Sequence, residues 1–192
     1  MVMDISIRRS LFEAELFEVL EGDVVIQEIR LPFLGKKFPL PKRFESLEIF
    51  LRWAADTERK GARNKVYYLL GLRDYPEVLL ARKLKEAGYS KSVSQEALEE
   101  AKRLGYIQEG VYEAKAIEKE FRKGYGPRYI EGKLKAQGLS AQGVKQWYTP
   151  ERQKECAGRL VQKLKKKERP KIIRALQQKG FDLDIILQIV PR

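Results

Sequence analysis

The sequence contains no histidine and a single cysteine, Cys156. Without histidine the chain cannot assemble a Ser-His-Asp or Cys-His catalytic site, or offer imidazole to a metal. One thiol excludes a disulfide framework and a cysteine-based zinc site within one chain. Its setting, Glu155-Cys156-Ala157-Gly158-Arg159, reads as a small inert residue on a helix. Long apolar runs are missing too. No stretch approaches the roughly 18 apolar residues of a membrane span, and mean hydropathy over 192 residues is -0.48. Met1-Val2-Met3-Asp4-Ile5-Ser6 shows neither the basic segment nor the apolar run of a secretory leader, so a cytoplasmic address is expected. An enzyme would have to use carboxylates such as Glu45, Glu48 and Asp56, which lie in no metal or phosphate motif, and there is no Gly-rich phosphate loop. Catalytic residues, cofactors and metal are therefore expected to be absent, and the chain reads as a binder.

What is abundant is positive charge, and it is unevenly placed. Lys and Arg total 39 against 27 Asp and Glu, a formal charge of +12. Residues 1–109 hold 19 basic and 18 acidic residues, whereas residues 110–192 hold 20 and 9. Such asymmetry points to a polyanionic partner for the C-terminal half, either nucleic acid or an acidic protein surface. The densest run is Arg159-Leu160-Val161-Gln162-Lys163-Leu164-Lys165-Lys166-Lys167-Glu168-Arg169.

An internal repeat organises the chain. Segments starting at Pro76, Pro127 and Pro170 each carry an apolar i, i+4 pair, a glycine four residues later and an apolar residue after it. The pairs are Leu80/Leu84, Ile130/Leu134 and Ile172/Leu176, and the glycines are Gly88, Gly138 and Gly180. Proline suits a first helical turn, whose N–H has no partner anyway, and glycine takes the left-handed turn that ends a helix. Upstream lie Val66/Leu70, Ile117/Phe121 and Leu160/Leu164; downstream lie Val93 to Leu104, Val144 to Tyr148 and Ile185 to Val190. The unit is helix, Pro-started helix, Gly turn, helix, present three times. One unit is too small to bury its own stripes, so neighbours are expected to stack into an elongated, curved array.

Residues 1–45 differ. Two β-prone runs around Glu21-Gly22-Asp23 predict a hairpin, and Leu31 to Pro41, with three prolines and a glycine, predicts a loop. Ser46 is placed to cap a helix containing Leu47, Phe50 and Ala54, with a break expected at Lys60-Gly61. The expected fold is thus mainly α: an N-terminal β-hairpin and lead-in helix over 1–60, then three-helix repeats over 61–109, 110–150 and 151–192.

Val66-Tyr67-Tyr68-Leu69-Leu70-Gly71-Leu72-Arg73-Asp74-Tyr75-Pro76, the Lys83-Leu84-Lys85 and Gly88 that follow, and Leu104-Gly105-Tyr106-Ile107-Gln108-Glu109-Gly110-Val111-Tyr112-Glu113-Ala114 resemble RecX-family regulatory proteins. The similarity covers roughly residues 60–190. Pro76 stands where the family usually has Ser, Gln108-Glu109 replaces Asn-Asp, and Trp147-Tyr148-Thr149-Pro150-Glu151 departs from the family junction. The resemblance implies a non-enzyme with tandem three-helix repeats, lying in the groove of the RecA–single-stranded DNA filament and restraining its recombinase and coprotease activities. It implies RecA and single-stranded DNA as partners for an expected monomer.

Helical geometry nominates the contacts. With Ile130 and Leu134 inward, Arg128 and Lys135 point outward and Lys133 to one side; with Ile117 and Phe121 inward, Lys115, Lys119 and Arg122 face out. In the third repeat Lys165 and Lys166 lie off the apolar stripe, and Arg169, Lys171 and Arg174 cluster at a helix start. Cations there oppose the helix dipole and so serve a ligand. Tyr125 and Tyr129 are nominated as exposed rings on which bases stack, and Trp147 as core. The alternative is direct DNA binding by helix-turn-helix-like units, against which the short, apolar third helices count.

Overall fold

The computed structural model describes residues 5–35 and 43–190. They divide at Ile107/Gln108 into two compact units.

Unit 1 opens with an antiparallel sheet of β1 (Ile5–Arg9), β2 (Leu16–Glu21), β3 (Val24–Arg30) and β4 (Arg43–Phe44), in the order β3-β2-β1-β4. The β2–β3 hairpin turns at Gly22, whose positive φ of 61° costs glycine nothing. Strand β1, not expected from the sequence, lies inside the sheet with Ile7 opposite Val19. Its alternation is legible afterwards: Ile5 and Ile7 are buried against Phe17, Val19 and Phe50. Residues 36–42 of the expected Pro-rich loop lie outside the described residues.

Helix α1 (Leu47–Leu72) begins at Ser46, whose hydroxyl accepts from the Ile49 amide at 3.3 Å. It does not break at Lys60-Gly61. Ala62, Val66 and Leu69 continue its buried face, and this tertiary burial outweighs the poor helix propensity of one glycine. Gly61 has a packing reason: a Cβ there would stand 3.0 Å from the Tyr89 hydroxyl. Helices α2 (Glu77–Glu86) and α3 (Lys91–Arg103) complete the first repeat around Leu80, Leu84, Ala97 and Ala101. The Gly88 turn between them has φ 84° and lies so close to Pro32 that a Cβ would stand 2.7 Å from its carbonyl carbon.

Unit 2 holds α4 (Glu109–Arg122), α5 (Pro127–Ala136), α6 (Gln142–Trp147), α7 (Pro150–Leu164), α8 (Arg169–Gln178) and α9 (Leu183–Ile189). The prolines at residues 127, 150 and 170 occupy first-turn positions, and Gly124, Gly138 and Gly180 end helices with φ of 81°, 75° and 84°. One core joins both repeats through Ile117, Ile130, Leu134, Tyr148, Ile172 and Leu176. All three expected apolar pairs are buried. Cys156 is buried in this core with its thiol directed at the Phe121 carbonyl. Two backbone hydrogen bonds join the repeats, from Gly126 N to Lys179 O at 2.7 Å and from Arg128 N to Gly180 O at 3.1 Å.

Candidate nucleic-acid and filament interface

The cations nominated from sequence all lie in unit 2, but the structure gives them different work. Lys119 on α4, Lys135 on α5, Lys165 and Lys166 after α7, and Arg174 on α8 are exposed and make no ion pair among the described residues. Lys115 and Arg169 are exposed as well. Arg122 pairs with Glu118, Lys171 with Glu168 and Arg128 with Asp182, all with the cation's side chain largely in solvent. Exposed pairs of this kind are worth at most about 1 kcal/mol. Their cations can therefore exchange an internal carboxylate for an external phosphate at little cost.

Lys133 is the correction. It reaches Glu120 Oε1 at 2.9 Å, and Lys123 reaches the same oxygen at 3.0 Å. The Glu120 side chain is 7% exposed, and its Oε2 has no hydrogen-bond partner among the described residues. Burial pushes this carboxyl up, yet hydrogen bonds from Lys133 and Lys123, together with their charges, outweigh burial and hold it below its usual value. The Lys133 ammonium is raised, chiefly by its hydrogen bond to Glu120, with burial opposing. A buried carboxylate without its ammonium partner is costly. Lys133 is thus a structural residue rather than a free contact.

Tyr125 is corrected as well, whereas Tyr129 remains exposed as expected. Their rings stack on each other at 3.9 Å and 11°, and Lys179 Nζ stands 4.1 Å from the Tyr125 centroid, so the faces of Tyr125 are occupied within the chain. Trp147 is half-buried, edge-on to Phe121, with the Arg152 guanidinium 4.4 Å from its centroid.

Where α7 gives way to α8, Lys166, Lys167, Lys171 and Arg174 line a shallow groove of about 530 Å³ floored by Ala175 and Gln178. Glu168, on its edge, is the carboxylate that holds Lys171. A second hollow of about 450 Å³, between α4 and α7, carries Arg122, Lys123, Arg159 and Lys163. Lys167, Arg159 and Lys163 were not among the nominated contacts. Their i, i+4 spacing in the dense basic run was the available signal. Glu48 and Asp56 form surface pairs with Arg52 and Arg59 on α1, and no group of three metal-ligating side chains occurs among the described residues. No helix among the described residues is long and apolar enough to cross a membrane.

A small antiparallel sheet followed by Pro- and Gly-punctuated three-helix repeats, the last two strongly basic, defines a basic helical-repeat protein. No family model matches the chain. Regulatory protein RecX of Legionella pneumophila strain Corby is 32% identical over 130 residues, which cover 63% of this chain and 87% of that protein. Regulatory protein RecX of Caldanaerobacter subterraneus is 28% identical over 135 residues, 67% of this chain and 68% of the relative. Two solved structures share the fold at 20% identity. One, a crystal structure of regulatory protein RecX, superposes with a TM-score of 0.65 over 97% of this chain and 98% of that chain. The other, RecX from Lactobacillus salivarius, gives 0.64 over 70% and 96%. The chain belongs to the RecX family of regulatory proteins.

Proposed function

We propose that this chain binds the RecA–single-stranded DNA filament and restrains its recombinase, ATPase and coprotease activities, with no catalytic chemistry of its own. Membership of the RecX family supports RecA as the partner. The observation that carries the physical side is the α7–α8 groove, where Lys166, Lys167 and Arg174 stand without an internal partner among the described residues. Like charges gathered on one surface repel one another, and a polyanion relieves that repulsion while releasing its own counterions. The cations sit on helix faces and at a helix start, positions suited to phosphates or carboxylates. The short third helices α6 and α9 do not offer the long polar face that base reading in a major groove needs. We take the protein to act as a cytoplasmic monomer.

Binding to preformed RecA–single-stranded DNA filaments and to naked single strands, compared at about 150 mM salt, where non-specific phosphate contacts weaken, tests this reading. Preference for filaments with a fall in their DNA-dependent ATPase is the expected result. Equal or tighter binding to naked DNA would replace it with the alternative, a basic helical-repeat protein that binds DNA directly.

A further inference from the structure

A groove of about 660 Å³ runs between α2 and α3, wholly within unit 1. Ala81, Leu98 and the Tyr89 ring give it an apolar lining, whereas the α7–α8 groove is lined by cations. Ser94 is a further lining residue, and its hydroxyl oxygen is buried with no hydrogen-bond partner among the described residues. Cations stand along the rim: Arg82 and Lys85 from α2, Lys91 from the first position of α3. Lys85 and Lys91 make no ion pair among the described residues, and Arg82 reaches only the exposed Glu86, at 3.7 Å. The one carboxylate in the lining, Glu77, is already held by Lys102 at 2.9 Å. The first turn of α3 has no acidic residue and Ser90 supplies no side-chain cap, while the Glu58 carboxylate on α1 accepts from the Ser90 amide at 2.6 Å and offsets part of the helix-terminal field.

An apolar floor under a rim where Lys85 and Lys91 stand without an ion pair among the described residues, and Arg82 holds only an exposed one, selects a ligand that is itself apolar at its centre and anionic at its edges. Helix α2, with ten residues, rises about 15 Å, the reach of about five residues of extended chain. We propose that the α2–α3 groove docks an acidic peptide segment of a partner protein. One Leu- or Phe-sized side chain rests on Ala81, Leu98 and Tyr89, and flanking carboxylates meet Arg82, Lys85 and Lys91. Nucleic acid fits less well, since it would leave the apolar floor uncovered, and residues 1–109 are nearly charge-balanced. The proposal stands apart from the reading of the unit 2 cations, and its test needs neither RecA nor DNA to succeed.

The full-length protein would be presented to an array of twelve-residue peptides carrying a central Leu or Phe between Asp and Glu residues. The tightest binder would then be measured by fluorescence anisotropy. Binding is expected to fall at least tenfold in Ala81→Trp, which fills the floor, and in Lys85→Glu, an exposed change that leaves the packing intact. It should be unchanged in Lys166→Glu. A peptide whose central residue is Ser should also bind at least tenfold more weakly. The proposal is overturned if no array peptide binds, if the Ser peptide binds as well, or if both groove variants retain wild-type affinity. It is overturned in favour of nucleic acid if Ala81→Trp weakens a labelled oligo(dT) and the peptides do not bind.

Discussion

A methyl group at Gly126 would sit 2.5 Å from the Gly180 carbonyl, and one at Gly180, whose φ is already 84°, would collide with the Tyr129 amide nitrogen. Both collisions are with backbone, which cannot swing aside. Gly126→Ala and Gly180→Ala are each expected to destabilise the protein by about 2 kcal/mol or more in urea unfolding. Gly132, mid-helix in α5 with nothing within 4 Å of its added Cβ, has the opposite expectation, a gain of about 1 kcal/mol as alanine. Glu120 makes stability depend on pH. Its carboxyl titrates lower in the folded than in the unfolded chain. Its contribution is therefore complete above the ordinary carboxylate range and is lost as pH falls through the folded value. Lys133 is raised, so its share persists until pH passes above the ordinary lysine range. The stability gap between wild type and Glu120→Gln, measured in urea, should be widest near neutrality and close below about pH 4.

Helix starts and stops were readable from sequence because their signals are local. Pro127, Gly138, Gly180 and the cap at Ser46 each act within one turn of where they stand. Replacing Ser46 with alanine removes the acceptor for the Ile49 amide and should cost about 1 kcal/mol, lowering the melting temperature. Elements that depend on distant partners were not readable. Strand β1 has only five residues, and its partners lie in β2 and in β4, the latter near residue 44. The continuity of α1 through Gly61 rests on Ala62, Val66 and Leu69 being buried against residues of α2 and α3, which lie far along the chain. The same holds in the interface. Periodicity turned Arg128 and Lys135 outward, but nothing within one turn of Lys133 announces the buried carboxylate thirteen residues earlier. Tyr125 lies before α5 and Tyr129 within it, so no helical spacing announces their stacking.

The net positive charge is concentrated in unit 2, and the apolar α2–α3 groove lies in unit 1. Reversing Lys135, Lys165, Lys166 and Arg174 to Glu should abolish binding to the filament and leave the helical circular-dichroism signal intact. Adding Arg128→Glu should also lower stability, because Asp182 would lose its pairing cation while still accepting from the buried Gln153 amide. If the fourfold reversal leaves affinity unchanged, the interface lies elsewhere. The two hydrogen bonds from Gly126 to Lys179 and from Arg128 to Gly180 have a consequence of their own. They belong to no helix ladder and can open only when the second and third repeats part. In hydrogen–deuterium exchange, the amides of Gly126 and Arg128 should therefore be as slow as those of the buried helices around them, although Gly126 caps α5 and Arg128 lies in its first turn, where amides have no partner within the helix. The second and third repeats then open to solvent as one cooperative body, and neither is released without the other.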